Sequence, residues 1–386
     1  MRAAAVVRHA RRRDFDLHSF VAQDSHSAVN AHGWRALVKR LRRANRERLN
    51  RWLTRFMGTA RPVRAPLAAD TRRVLVVRLN KRLGNILFLT PMLRTLAASL
   101  PTASIDVLIR DPRQKPLLES LPGIGRVWVQ PRGLGALIGL IRRLRRERYD
   151  LAIDPTGNSS SNRTAVALSG ARQRMGFASN SQWLRLTHAA GRANSRHQAE
   201  QAVALLTDSV DELDFKTFDT LAVFPDNRAQ TAARAHWVEA LGSGPTRGPV
   251  IGFFTRATGR KALPAAWWRD WCEQMHHLAP AATLLEIRPP GAEPTADTAS
   301  VAVAELDVLA ALLSRLSVFT AADSGPMHLA AAAGVPVVGL FRATRPEAYA
   351  PLGQGCTSVA GETFTGAEAA RAAARVLAAE QASGVA

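Results

Sequence analysis

The run Arg73-Val74-Leu75-Val76-Val77-Arg78-Leu79 constrains the chain more than any other segment, because it is continuously apolar and ends in polar sequence. Such a run reads as a buried strand, with a loop expected over Asn80 to Asn85. Alternation follows: a helix through Met92 to Leu100, a strand Ser104 to Ile109, an apolar stretch Val127 to Val129, and a helix Leu134 to Arg148. The strand Asp150 to Ile153 comes next and opens into Asp154-Pro155-Thr156-Gly157-Asn158. Strands that alternate with helices predict an α/β fold with parallel sheets, in which ligands gather at the carboxyl ends of the strands. The loops Asn80 to Asn85, Arg110 to Pro112 and Asp154 to Asn158 are therefore expected on one rim.

The pattern lapses around Pro225 to Pro249 and resumes at Val250-Ile251-Gly252-Phe253-Phe254. In the second half a helix is expected over Ala265 to Leu278, a strand over Thr283 to Ile287 and a helix over Leu306 to Leu316. The strand Val318 to Thr320, a helix His328 to Ala333, the strand Val335 to Phe341 and an Ala-rich helix Ala367 to Ala379 complete it. At 386 residues and 47% hydrophobic, the chain can bury two cores. The divisions read as a basic extension 1–70, a first domain 71–225, a linker 226–248 and a second domain 249–386.

Cys272 and Cys356 belong to no metal-ligand or redox spacing, so a reducing compartment is expected. No run of about 18 apolar residues exists, and Ala3 to Val7 is too short for a signal-peptide core, which predicts a cytoplasmic protein. The net charge of +21 asks for a polyanionic partner. Residues 1–70 hold 16 Lys and Arg against 5 Asp and Glu. There, Trp34, Leu37, Val38, Leu41, Leu49, Trp52, Leu53 and Phe56 roughly keep helical spacing among arginines. This amphipathic helix suits either an anionic membrane surface or packing on its own domain. Charge alone identifies no specific nucleic-acid partner.

The segment Val318 to Ala330 reads as strand, polar turn and helix start, with Pro326 in the first turn. Free amides there, with Gly325 allowing close approach and Ser324 adding a hydroxyl, suit a diphosphate. The other reading is capping by Asp323 or Ser324. No Gly-x-x-x-x-Gly-Lys-Ser/Thr loop supports ATPase chemistry.

Asp323-Ser324-Gly325-Pro326-Met327-His328, continuing to Gly339-Leu340-Phe341 and Pro351-Leu352-Gly353, resembles the donor-site signature of the bacterial heptosyltransferases, glycosyltransferase family 9. Three more segments resemble that family in the same order. They are Val77-Arg78-Leu79 with Leu83 to Leu87 and Thr90-Pro91, Tyr149 to Asp154 with Gly157-Asn158 and Leu168 to Ala171, and Lys261 with Leu263-Pro264 and Trp268. The resemblance spans about residues 73–353. It implies a GT-B fold, two Rossmann-like doubly wound domains facing across a cleft, and metal-independent, inverting transfer of heptose from ADP-heptose to lipopolysaccharide core. No cofactor beyond the nucleotide sugar is implied. The acceptor and the basic extension together predict peripheral association with the inner membrane. By the same resemblance, Lys261 meets the donor phosphates with Thr255 nearby, and Asp323, Ser324, Gly325, Pro326, Met327 and His328 form the rest of the donor site.

Two positions depart from the family pattern. Where members commonly carry a basic aspartate, this chain has Asn85, and an amide takes no proton at neutral pH. Three explanations follow: Asp154 on the same rim is the substitute base, Asn85 positions the acceptor while chemistry relies on departure of the leaving group, or transferase activity is lost. The other role open to Asp154 is to brace its loop, and Asp111, before a proline, is a weaker candidate base. The acidic residue expected to grip the donor ribose is either Glu286 or Glu293. Transfer to a glycolipid is thus expected, with a catalytically weak GT-B scaffold or donor-binding protein as the alternative.

Overall fold

Val74, Leu75, Val76 and Val77 are fully excluded from solvent and alternate between two hydrophobic clusters, one on each face of a sheet. That is the environment a strand apolar on both faces requires. The computed structural model describes residues 58–157, 159–179, 184–192, 196–244 and 248–384; the segment 1–57, with its expected amphipathic helix, and Asn158 lie outside the described residues.

The first sheet comprises β1 (Arg73–Arg78), β2 (Ser104–Ile109), β3 (Ile124–Val129), β4 (Leu151–Asp154), β5 (Gln173–Phe177) and β6 (His188–Ala190). They lie in the order β3-β2-β1-β4-β5-β6 and every pair is parallel. The second sheet comprises β7 (Val250–Phe254), β8 (Thr283–Arg288), β9 (Ala299–Ala302), β10 (Val318–Ala322), β11 (Val337–Phe341) and β12 (Thr357–Ala360), in the order β9-β8-β7-β10-β11-β12 and again all parallel. Both follow the Rossmann order 3-2-1-4-5-6 within their own halves. In each, the first and fourth strands adjoin, and the crevice beyond their carboxyl ends is the switch point where ligands bind.

The crossovers of the first half are α1 (Leu83–Leu87), α2 (Thr90–Ser99), α3 (Lys115–Glu119), α4 (Leu134–Arg146), α5 (Ser160–Ser169) and α6 (Gln198–Ser209). Those of the second are α7 (Asn227–Leu241), α8 (Ala265–Leu278), α9 (Leu306–Leu313), α10 (Gly325–Ala332), α11 (Pro346–Tyr349) and α12 (Gly366–Ser383).

Several expectations change. Asn85 lies inside α1 rather than in a loop. The helix expected from His328 begins three residues earlier, at Gly325, because proline and glycine are both tolerated in a first turn. The expected linker 226–248 is mostly α7, capped by Asp226 on the Ala229 amide at 2.8 Å, and its Arg228 pairs with Asp307 of α9. It therefore belongs structurally with the second sheet. The crossing lies just before it: Lys216, Phe218 and Ala222 donate amides to Ser99, Thr95 and Thr90 of α2, while Leu221 and Val223 donate to the carbonyls of Leu352 and Ala332.

At the first switch point the chain seals a charge. Asp154 ends β4 with no exposed surface and pairs with Arg163 of α5, itself 1% exposed, at 3.2 Å. The Arg163 guanidinium also donates to the Phe177 carbonyl at 3.1 Å. Arg163→Met is expected to destabilise the protein by about 3–5 kcal/mol in urea unfolding, because it strands a buried carboxylate. Adding Asp154→Asn should cost less than the sum of the single changes.

Candidate functional site

On the first rim, Asn162 of α5 ties the ends of β1 and β4 together. Its amide nitrogen donates to the Val77 carbonyl at 3.0 Å and to Asp154 at 3.2 Å, and its oxygen accepts from the Leu79 amide at 3.0 Å. Asp154 also accepts from the Thr156 hydroxyl at 2.6 Å and the Thr156 amide at 3.1 Å. Burial pushes the Asp154 carboxyl up, opposed by Arg163, Thr156 and Asn162. A base needs access to the proton it takes, and Asp154 has none in this geometry. Its expected role as substitute base gives way to that of a brace. Asp111 likewise faces its own turn, accepting from the Arg113 amide at 3.2 Å and from its guanidinium at 2.7 Å.

Beyond this brace opens a cleft of about 260 Å³ lined by Arg78, Asn80, Asn85, Thr156, Arg192 and Gln201 among others. None of its lining residues, all among the described residues, is a carboxylate. Arg78 closes β1 and donates to the Asn85 carbonyl at 3.2 Å, which holds α1 against the strand. Removal from water lowers its guanidinium to about 10, with Asp154 opposing, so it stays cationic at neutral pH. Arg192 donates to Gln201 at 3.0 Å, and its side chain lies so close to Gly157 that a Cβ there would sit 2.9 Å from it. Neither arginine was singled out from sequence as a site residue. A charged residue ending a buried strand was the available signal for Arg78; Arg192 carried none.

The second rim is built around Asp323, which follows β10. Its carboxylate meets the Lys261 ammonium at 2.7 Å, the Thr344 hydroxyl at 2.8 Å and the His328 imidazole Nε2 at 3.5 Å. Burial pushes this carboxyl up, but hydrogen bonds from His328, Lys261 and Thr344 outweigh it and hold the pKa at about 2. Burial depresses His328, which is 3% exposed.

Neither Asp323 nor Ser324 caps α10. Ser324 occupies the N-cap position without a side-chain cap bond, and its hydroxyl is buried without a partner. The amides of Gly325 and Met327 have no acceptor within the helix by position, and Pro326 has no N–H. The helix start thus holds a buried, unpartnered hydroxyl and first-turn amides without intrahelical acceptors, next to Asp323, which anchors Lys261.

Thr255 is placed differently from expectation. Its hydroxyl donates to Glu286 at 2.9 Å, and Glu286 also accepts from the Thr295 amide at 2.7 Å. Both residues are buried, so the Thr255 hydroxyl is committed to Glu286 rather than presented to a ligand. Glu293 lies exposed on the adjoining loop.

The two rims meet where α1 packs on α10. A Cβ on Gly84 would fall 2.7 Å from the His328 ring, and one on Gly325 would fall 3.0 Å from Leu83. Glycine at both positions lets the helices touch. Phe88 completes the seam, edge-on to His328 at 4.6 Å and to His197 at 5.1 Å, while His197 Nε2 lies 3.0 Å from the Ala350 carbonyl.

Two Rossmann-like domains meeting at their ligand-binding rims define a GT-B glycosyltransferase architecture. The model of glycosyltransferase family 9 (heptosyltransferase) matches residues 137–372, over half of the chain, and the protein belongs to that family. Among solved structures, a glycosyltransferase family 9 protein from Veillonella parvula is 20% identical with a TM-score of 0.68, covering 80% of this chain and 98% of its own. ADP-heptose LPS heptosyltransferase II of E. coli is 20% identical at a TM-score of 0.63, covering 80% and 99%. E. coli heptosyltransferase WaaC with ADP is 17% identical at 0.56, covering 81% and 99%. None of the curated proteins matches by sequence.

The seam and the Asp323 cluster each make a measurable prediction. Gly84→Val should cost about 1–3 kcal/mol through overpacking against His328, whereas Gly135→Ala, in open space on α4, should be neutral or slightly stabilising in the same thermal unfolding assay. Since Asp323 is depressed from 3.8 to about 2, its contribution to stability is complete above about pH 4 and is lost as pH falls through 2. Urea unfolding of Asp323→Asn across that range should lack this acid limb.

Proposed function

We propose that this protein is an inverting glycosyltransferase that moves heptose from ADP-heptose to lipopolysaccharide core or a related glycolipid. The observation that carries this reading is the start of α10, where an unpartnered Ser324 hydroxyl and first-turn amides adjoin the Asp323–Lys261 pair, on the helix that packs against α1 with its Asn85. Family membership supports a sugar donor. Structurally similar proteins solved with ADP and with an ADP-heptose analogue support its identity.

In this reading the acceptor hydroxyl attacks the anomeric carbon from the side of the first rim and, with no carboxylate lining that cleft, releases its proton to solvent water. The bond to the diphosphate breaks towards the second. Negative charge grows on the leaving diphosphate, and Lys261, Ser324 and the amides of Gly325 and Met327 meet it, a form of stabilisation that usually dominates catalysis. Asp323 keeps Lys261 aimed at that position, and His328 holds Asp323 from behind. These groups supply the charge compensation without a protein-bound metal. The acceptor's lipid would bring the enzyme to the inner face of an anionic membrane.

A second reading, a donor-binding protein with weak or no transferase activity, is favoured by one observation: the acceptor-side cleft has Asn85 and no carboxylate among its lining residues.

Transfer of radiolabelled heptose from ADP-heptose to truncated core separates the two. The wild type should turn over, and Lys261→Ala should lower kcat by about 10²–10³. ADP binding without turnover in the wild type, with turnover appearing in Asn85→Asp, would establish the second reading instead.

A further inference from the structure

Helix α4 buries one side only. Leu140 and Leu144 face the sheet, and its outward stripe carries Leu134, Ile138, Arg142 and Arg145, with Arg146 alongside. Leu134 is 74% exposed and Ile138 40%, both among the few large apolar residues left open on the described surface. A Cβ on Gly133, Gly135 or Gly139 would meet nothing within 4 Å, and α5 borders the helix only towards its end, where the Arg145 guanidinium donates to the Leu168 carbonyl at 3.0 Å. The helix contains no acidic residue, and the following Glu147 turns inward to Arg73 and Arg126. Arginines at a helix end complement its dipole. That accounts for neither a leucine and an isoleucine in open solvent nor Arg132 beside them.

We propose that the outward face of α4 is a docking surface for an anionic lipid bilayer, with Leu134 and Ile138 entering the headgroup boundary and Arg132, Arg142 and Arg146 meeting lipid phosphates. Apolar residues sharing an outward stripe with arginine are the composition of an interfacial helix. A phosphodiester strand would satisfy the arginines and leave Leu134 and Ile138 in water. A second copy of the same face, or the basic segment 1–57, would bring positive charge against positive charge.

Topology puts the surface in the right place. In a parallel sheet the helix after a strand starts at the carboxyl rim, so Leu134 and Ile138, following β3, lie on the rim onto which the Arg78–Asn85 cleft opens. The inference deepens the proposed glycolipid acceptor and rests on it, since docking here would present that rim to lipid-anchored substrate.

The test uses the full-length protein with phosphatidylcholine vesicles, with and without phosphatidylglycerol. Hydrogen exchange across residues 134–146 should slow only when phosphatidylglycerol is present. Binding should fall roughly 30-fold in Arg142→Gln/Arg146→Gln and roughly tenfold or more in Leu134→Asp/Ile138→Asp, while thermal stability holds. Unchanged exchange on adding vesicles, protection already complete without them, protection by RNA alone, or both variants binding within about twofold of wild type would overturn it. Transfer to a deacylated, lipid-free acceptor should be equal in wild type and variants. If the wild type transfers to no acceptor while vesicles still protect the helix, the catalytic reading fails and the docking surface stands.

Discussion

The close packing of α1 on α10 decides what the rest of this molecule can do. Each helix begins at a switch point of its own sheet, and each brings a glycine to the place where the other's side chain lies, Gly84 under His328 and Gly325 under Leu83. A Cβ at either glycine would force its neighbour across the seam to shift. With both absent the two helices touch, and one hydrophobic cluster runs from Leu87 and Phe88 into the core of the second half.

The two halves use an aspartate at the same place, the end of the fourth strand, for opposite purposes. Asp154 is closed in by Arg163, Asn162 and Thr156 and serves the fold, since a buried ion pair holds β4, β5 and α5 in one arrangement. Asp323 is almost as buried but takes its cation from Lys261, which is one-third exposed. The first aspartate fixes a loop. The second fixes a partly exposed charge beside the start of α10.

Much of this architecture was legible in the sequence. The apolar run at Val74 to Val77, the alternation behind it and the restart at Val250 specify two parallel sheets, because burial on both faces and crossover helices leave few other arrangements. The strand-turn-helix around Asp323 was legible for the same reason. Less visible were β5, β6, β9 and β12, which are short and pair at or near the sheet edges, where weak apolar patterning suffices. Thr255 was read from sequence as lying near the donor phosphates and Glu286 as one of two candidates, with Glu293, for gripping the ribose, yet Thr255 and Glu286 bond to each other. Their pairing depends on the register that sets Phe253 beside Glu286, and residue type does not reveal that register.

By itself the sequence determined the class of fold, the strands whose ends bear polar turns, and the helix start suited to a diphosphate. These follow from neighbours a few residues apart, through periodicity, capping and the conformational limits of proline and glycine. Only the tertiary structure decided that Ser324 leaves its helix uncapped, that Lys261 belongs to Asp323, that Asp154 is sealed behind Arg163, and that the cleft at Asn85 is lined by arginine and amide groups. Those outcomes depend on contacts between residues far apart in the chain, such as Gly84 with His328. Burial and ion pairing there are settled by packing, which local pattern does not encode.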